Sequence, residues 1–212
     1  MKHHPLVIAT SNPGKLAEFR SLFTDTSFKI MGLADIGSPV LPDEVGSTYE
    51  ENAKLKAQAV MQICKLPTLA DDSGLEVEAL SGRPGLYSAR FSPVREKNET
   101  QADANCRYLI EQLRSLVNQN TNFAARFVCA LCFVEPVGTC VTFRGEVSGS
   151  VLLTPRGNNG FGYDPLLYLA ETDCTFAELN SQQKNALSHR GRAIKQFILW
   201  WNTTHSLQKI AE

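Results

Sequence analysis

Short apolar runs alternate with helical patterns along most of the chain. Residues 6–9 form an apolar run that predicts a buried strand, and residues 15–23 place Leu16, Phe19 and Phe23 at helical spacing. Thr48 is expected to begin a second helix, because Glu51 stands three residues later as in a capping box. Strands and helices that interleave in this way predict an α/β fold.

The second half of the chain continues the same alternation. Residues 75–79 alternate between apolar and acidic positions and predict a short strand, whereas residues 102–117 carry a helical apolar stripe. Residues 127–134 and 140–151 predict a pair of strands, and a final helix is expected over about residues 188–201. No change of composition marks a linker. We therefore predict a single domain over residues 1–212, in which two lobes can enclose a cleft.

Composition and charge exclude several classes of protein. The chain has 212 residues, of which 43% are hydrophobic and 20% are charged, as is typical of soluble globular proteins. The formal net charge of -1 argues against a general nucleic-acid surface. No apolar stretch reaches about 18 residues, so we expect no membrane helix. The first apolar run is too short for a secretory signal.

The six cysteines do not form a metal-binding pattern. Only Cys129 and Cys132 have CxxC spacing, and they lie inside a strand-like run without a second pair. Buried thiols in a reducing cytoplasm explain this distribution, with zinc binding or redox chemistry as the alternative.

Two adjacent carboxylates follow an apolar run at residues 66–70. Asp71 and Asp72 at the end of a strand would point to opposite faces, and Ser73 and Gly74 come next. Neighbouring acids repel each other unless a cation compensates them, and Mg²⁺ is a cation that prefers oxygen ligands. An acidic turn after the strand is the alternative, since Asp, Ser and Gly are common turn residues.

Two lysines lie where they can contact phosphate. Lys15 is in the first turn of the first helix, after Ser11 or Asn12 as the candidate N-cap and Pro13 as a first helical residue. Free N–H groups at such a helix start bind phosphate, although an ordinary capped helix has the same pattern. Lys56 follows Glu51 and Asn52 on the second helix, where a solvated lysine is the alternative.

Two later segments offer groups for a nucleobase. In the glycine-rich loop at residues 157–164, Phe161 and Tyr163 can stack on a flat ring and Asp164 can accept from a ring N–H. The alternative is a mobile loop with its aromatic rings in the core. Lys184, His189 and Arg190 supply donors for keto or phosphate oxygens, unless residues 188–192 are simply a polar helix start.

Together these segments contain the groups of a nucleoside triphosphate site, and at this point the chain closely resembles a known family. The family is that of the inosine triphosphate pyrophosphatases, also called dITP/XTP pyrophosphatases. Six blocks match it in order: residues 9–15, 51–53 with Lys56, 70–75, 85–91, 160–165 and 188–191. The resemblance implies hydrolysis of ITP, dITP and XTP to the monophosphate and pyrophosphate. It also implies Mg²⁺, a homodimer, and an elongated mixed sheet flanked by helices, with the active-site cleft between two lobes.

The resemblance also implies a role for each matching residue. Asp72 is the general base and a metal ligand, with Lys15 and Lys56 as the catalytic cations. A second metal ligand comes from the loop before the second helix, where we prefer Glu44 and keep Asp43 as the alternative. The implied substrate-binding residues are Thr10, Ser11, Asn12, Pro13, Gly14, Lys15, Ser73, Phe161, Gly162, Tyr163, Asp164, Lys184, His189 and Arg190.

Selectivity has a simple physical hypothesis. Hypoxanthine and xanthine carry a 6-keto acceptor where adenine carries an amine, so donors from His189 or Arg190 would favour ITP over ATP. Two other functions remain open at this point: a pyrophosphatase of a related nucleotide class, such as the Maf-like enzymes, and a nucleotide sensor without catalysis.

Overall fold

The computed structural model describes residues 4–117 and 123–208. Seven strands form one mixed sheet in the order β2-β1-β3-β4-β5-β6-β7, and helices flank it, which confirms the predicted α/β class. The strands are β1 His4–Ile8, β2 Phe28–Met31, β3 Thr68–Val77, β4 Phe123–Val134, β5 Cys140–Val151, β6 Leu167–Leu169 and β7 Cys174–Thr175. The helices are α1 Pro13–Leu22, α2 Tyr49–Cys64, α3 Gln101–Arg114, α4 Ser181–Leu187 and α5 His189–Gln208.

The chain separates into two compact units, each made of segments that are distant in sequence. Unit 1 comprises the described parts of Met1–Asp72, Cys129–Gly145 and Ser188–Glu212, and unit 2 comprises those of Ser73–Val128 and Glu146–Leu187. The strands β3, β4 and β5 each contribute residues to both units. Among the described helices, none is long and apolar enough to span a bilayer.

Unit 1 is organised around parallel pairing of its first strands. β1 pairs in parallel with β2 on one side and with β3 on the other, where Val7 is opposite Thr68 and Ile8 is opposite Leu69. Parallel strands need a crossover connection, which α1 and α2 provide. The buried core combines these strands with aromatic side chains of α5 and includes Leu6, Ile8, Phe19, Phe23, Leu69, Phe133, Phe143, Phe197 and Trp201.

Unit 2 has a separate apolar core. β5, β6 and β7 pair antiparallel, with Val151 opposite Leu167 and Tyr168 opposite Thr175. The stripe predicted for residues 102–117 forms α3, which ends at Arg114. The core of this unit includes Leu75, Val77, Leu109, Leu113, Phe123, Phe127, Tyr163, Leu166 and Phe176.

One sequence interpretation is wrong in an instructive way. Residues 66–70 and 75–79 were expected to belong to separate strands, with an acidic turn at Asp71 and Asp72 as one alternative. Instead β3 runs without a break from Thr68 to Val77, and both carboxylates lie inside it and are buried. The acidic-turn alternative is therefore excluded. Buried carboxylates inside a strand require nearby cations or donors, which the structure supplies.

Candidate active site

Asp71 is buried in unit 1, where two cations contact one of its oxygen atoms. Its Oδ2 atom lies 3.0 Å from Lys15 Nζ and accepts a hydrogen bond from Arg190 Nη2 at 2.9 Å. Burial alone would raise the pKa of Asp71, but Lys15, Arg190 and Lys56 outweigh burial and hold the pKa far below its usual range. Asp71 is therefore an ionised anchor for two basic side chains.

Asp72 faces a different set of partners, supplied mainly by α2. Asn52 donates from Nδ2 to Asp72 Oδ2 at 3.0 Å, and Lys56 Nζ lies 3.6 Å from Asp72 Oδ1. The same lysine donates to Glu44 Oε1 at 2.7 Å. Asn52 and Lys56 are one helical turn apart, so α2 presents both to β3. Lys56 is 6% exposed, which excludes the solvated alternative.

The two neighbouring acids have opposite electrostatic characters. Burial raises the pKa of Asp72, Lys56 lowers it, and the negative charge of Glu44 raises it again, so that the net shift is upward. For Lys56, burial favours the neutral amine, but the carboxylates of Asp72, Asp71 and Glu44 prevail and raise its pKa. Asp72 is thus a carboxylate with raised proton affinity, held beside a permanent ammonium group. A general base needs a raised proton affinity and a position within reach of the proton that it removes, and Asp72 has the first of these properties.

Glu44 and Asp72 are the carboxylates that would hold the Mg²⁺ expected from the sequence. Glu44 and Asp72 share one ammonium group, and the charge of Glu44 disfavours ionisation of Asp72, so a divalent cation would relieve their repulsion. Mg²⁺ is commonly held by one or two carboxylates together with water and phosphate oxygens, and this pair fits that pattern. Asp43 is exposed. Within the described ranges, no three His, Cys, Asp or Glu side chains are grouped to hold a metal.

The start of α1 is capped by Asn12, one of the two residues predicted for this role. Asn12 accepts a hydrogen bond from Lys15 N at 3.1 Å through Oδ1, and Pro13 occupies the first turn. The backbone N–H of Asn12 donates to Thr10 Oγ1 at 3.2 Å. A cation in the first helical turn is disfavoured by the helix dipole, and here the carboxylate of Asp71 compensates it. Ser11 is exposed and Gly14 is half-buried.

The start of α5 packs directly on β5. Ser188 accepts from Gly191 N at 3.0 Å, and both His189 and Arg190 are buried. A Cβ atom at Gly145 would lie 2.0 Å from the His189 carbonyl oxygen, so a side chain at this position cannot be accommodated. The alternative of a polar helix start is correct in that α5 begins at His189, but the polar side chains of His189 and Arg190 are buried. Gly145 lets the first turn of α5 approach the sheet closely.

Arg190 is not placed as a free donor for a base. Its Nε and Nη2 atoms contact Asp71, its Nη1 atom donates to Glu18, and the side chain is 1% exposed. The sequence suggested His189 and Arg190 as donors to a 6-keto group, but Arg190 donates to carboxylates instead. His189 is the remaining candidate for that role.

The glycine-rich loop of unit 2 is ordered around Asp164. This carboxylate accepts from Phe161 N at 2.8 Å and contacts Lys184 Nζ at 2.5 Å through the same Oδ2 atom. The Lys184 ammonium also lies 4.8 Å from the centre of the Phe161 ring. Gly160 and Gly162 have positive φ angles of 78° and 61°, which the tight turn requires. Lys184, like Lys56, is buried.

The two aromatic rings of this loop differ. Tyr163 is buried in the core of unit 2 and donates from its hydroxyl to the Ser88 carbonyl at 2.9 Å, whereas Phe161 is half-buried. The core alternative therefore holds for Tyr163, and Phe161 is the ring that keeps exposed surface. Ser73 lies on β3 and is also half-buried.

Sequence reasoning missed two residues at this site. Asn52 was noticed only as part of a matching block, although its position one turn before Lys56 was a usable signal. Glu18 was not noticed, because its partner Arg190 is 172 residues away. Neither contact is visible in local periodicity.

An α/β protein with buried lysines and carboxylates beside a capped helix start has the site chemistry of a protein that binds a phosphorylated ligand. Comparison with known proteins then identifies the family. A model described as the Ham1 family matches residues 6–200. The chain therefore belongs to the Ham1 family, and the resemblance seen in the sequence is confirmed.

Relatives of similar length support this placement. The dITP/XTP pyrophosphatase of Deinococcus deserti is 46% identical over 194 residues, which cover 92% of this chain and 88% of the relative. That of Exiguobacterium sp. is 45% identical over 191 residues, or 90% of this chain and 93% of the relative. Among solved structures, the HAM1 protein of Coxiella burnetii has a TM-score of 0.81 and 35% identity, covering 94% of this chain and 99% of the other. The Staphylococcus aureus Ham1 protein has a TM-score of 0.77 and 38% identity, and the match again covers 94% of this chain and 99% of the other.

Proposed function

We propose that this protein hydrolyses non-standard purine nucleoside triphosphates, namely ITP, dITP and XTP, to the monophosphate and pyrophosphate. The observation that carries the proposal is the cluster of Asp72, Lys56 and Glu44, in which a buried carboxylate of raised pKa and a buried cation lie side by side. Membership of the Ham1 family and the names of the relatives support the same activity.

Asp72 is the group we propose to activate water. It accepts a proton from the water that attacks the α-phosphorus, while Asn52 fixes one of its oxygens. Lys15 and Lys56 stabilise the negative charge that develops on the departing pyrophosphate. Mg²⁺, when held by Glu44 and Asp72, would supply further charge neutralisation for the phosphates.

The other residues take roles in binding the nucleotide. We propose that the backbone from Thr10 to Lys15 binds phosphate, since N–H groups at a helix start suit an anion. Phe161 stacks on the base, and Lys184 and Asp164 hold that ring and its loop in place. We assign to His189 the donor role toward the 6-keto group, since Arg190 already serves two carboxylates. Ser73 remains a proposed substrate contact.

The homodimer and the reducing cytoplasm expected from the sequence remain part of this proposal. The six cysteines are free thiols, which supports a reducing environment. Sedimentation velocity of the purified protein tests the dimer, since a single species at the monomer mass would contradict it.

A substrate panel tests the proposed function. Purified protein with Mg²⁺ is supplied with ITP, XTP, GTP, ATP and substrates of the Maf-like enzymes, and both nucleotide binding and pyrophosphate release are measured. We expect kcat/KM for ITP and XTP to exceed that for ATP by at least about 100-fold, because a donor left unpaired against the adenine amine is penalised. Equal efficiency on ATP would contradict the proposed selectivity. Activity confined to nucleotides of the Maf-like class would assign a different substrate, and binding without pyrophosphate release would indicate a sensor.

A further inference from the structure

Glu18 lies on α1 one turn beyond Lys15, outside the residues to which we have given a role in catalysis or binding. Residues three apart on a helix are neighbours on its surface, so the two side chains leave α1 on the same side. The side chain of Glu18 is 13% exposed, and it receives a hydrogen bond from Arg190 Nη1. An acidic residue this well buried needs a cation, and Arg190 provides it.

The contacts continue from Arg190 to Lys15 through a single oxygen atom. Arg190 Nη2 donates to Asp71 Oδ2 at 2.9 Å, and Lys15 Nζ lies 3.0 Å from that same oxygen. Two cations and two carboxylates therefore alternate in the order Glu18, Arg190, Asp71, Lys15. Arg190 donates to both Glu18 and Asp71, and Lys15 can therefore also contact the Oδ2 atom of Asp71.

We propose that Glu18 is a positioning residue for the phosphate-binding Lys15, acting through Arg190 and Asp71. The identity of the ligand rests on the proposed function. Without the negative charge of Glu18, the Nη1 group of Arg190 loses its ion pair with that residue, and the guanidinium competes more strongly with Lys15 for the oxygens of Asp71. Lys15 then leaves its position, and small displacements of a binding group have large effects on affinity and rate.

If Glu18 acted only through its negative charge, its neutralisation would change the affinity for phosphate in the opposite direction. Removing a negative charge near a phosphate site increases the attraction for an anion, so neutralising Glu18 would then strengthen phosphate binding. The positioning role predicts weaker binding. The direction of the change therefore separates the two explanations.

The test is calorimetric titration with inorganic pyrophosphate and Mg²⁺, which needs no turnover. The variant Glu18→Gln keeps the shape of the side chain and removes its charge, and we expect the affinity for pyrophosphate to fall about five- to tenfold. Glu50→Gln is the matched control, because it removes an ion pair with Arg144 elsewhere in unit 1. This control should bind like the wild type.

A double-mutant cycle separates positioning from general loss of structure. In a Lys15→Ala background we expect Glu18→Gln to change the affinity less than about twofold, since its effect passes through Lys15. An equal loss in both backgrounds, an unchanged affinity, or tighter binding by Glu18→Gln would overturn the proposal. Glu18→Asp keeps the charge and should bind better than Glu18→Gln, and the reverse order would also overturn it. A wild-type protein that fails to hydrolyse ITP would contradict the proposed function alone.

Discussion

Replacing each of the adjacent acids by its neutral isostere should have very different effects on stability. Asp71→Asn removes the charge that Lys15 and Arg190 share, whereas Asp72→Asn removes a charge that burial and Glu44 disfavour. The two substitutions are chemically identical and one residue apart. Any difference between them therefore reports on their surroundings.

The expected magnitudes follow from the contacts. Breaking a buried ion pair by removing one partner costs about 3–5 kcal/mol, and Asp71 is 1% exposed with two cationic partners. For a protein of this size we expect Tm of Asp71→Asn to fall by about 6–20 °C. Asp72→Asn can still accept from Asn52, and Lys56 keeps Glu44 as its counterion. The free energy of unfolding of Asp72→Asn should therefore lie within about 1 kcal/mol of the wild-type value, or exceed it.

Thermal unfolding followed by tryptophan fluorescence measures this difference, since Trp200 and Trp201 lie on α5 in unit 1. Hydrolysis of ITP is measured on the same samples, and we expect Asp72→Asn to have lost at least about 1,000-fold in kcat while it remains folded. If Asp71→Asn melts like the wild type, or Asp72→Asn loses as much stability as Asp71→Asn, the division of roles is incorrect. Near-normal turnover by Asp72→Asn would remove it as the base.

Three further outcomes are expected. Lys56→Gln should reduce kcat/KM for ITP at least about 100-fold in a steady-state assay, because the cation beside Asp72 is lost, and full activity would contradict its role. Gly145→Ala should lower the free energy of unfolding by about 1–3 kcal/mol in a urea titration, since its Cβ meets the His189 backbone; a neutral result would show that α5 is free to shift. Burial raises the pKa of Cys106 and Cys129 to about 12, so at pH 8 their thiolate fraction is about 10⁻⁴ and iodoacetamide should label exposed Cys140 first. The same raised pKa means that these buried thiols contribute stability below their ordinary pKa near 9, and that this contribution is lost as pH rises toward 12. The free energy of unfolding should therefore fall between about pH 9 and 11, which a urea titration at each pH measures.

Local pattern was enough to predict many of the elements. The sequence placed the cap of α1 at Ser11 or Asn12, with Pro13 as the first helical residue, because capping depends on residues close in the chain. In the structure the cap is Asn12. The start of α4 depends on residues equally close in the chain, since Asn180 and Gln183 exchange hydrogen bonds at 3.0 and 2.9 Å. β3 was predicted in two pieces because two acidic residues interrupt its apolar pattern. Their compensating cations come from distant segments.

In the candidate site, too, some features can be predicted from local pattern and others depend on contacts between distant residues. Lys56 could be suggested as a phosphate contact from its block, but its burial and its contact with Glu44 depend on how α2 packs. Tyr163 and Phe161 look alike in sequence, and only the hydrogen bond to Ser88, 75 residues away, assigns Tyr163 to the core. Such contacts between distant residues cannot be read from spacing.

Oxygen labelling of the products tests the central claim most directly. The protein is incubated with ITP and Mg²⁺ in water enriched in ¹⁸O, and the products are analysed by mass spectrometry. Attack by water on the α-phosphorus predicts inosine monophosphate carrying one ¹⁸O atom and unlabelled pyrophosphate. Inosine diphosphate with inorganic phosphate, or label in the pyrophosphate, would contradict the account.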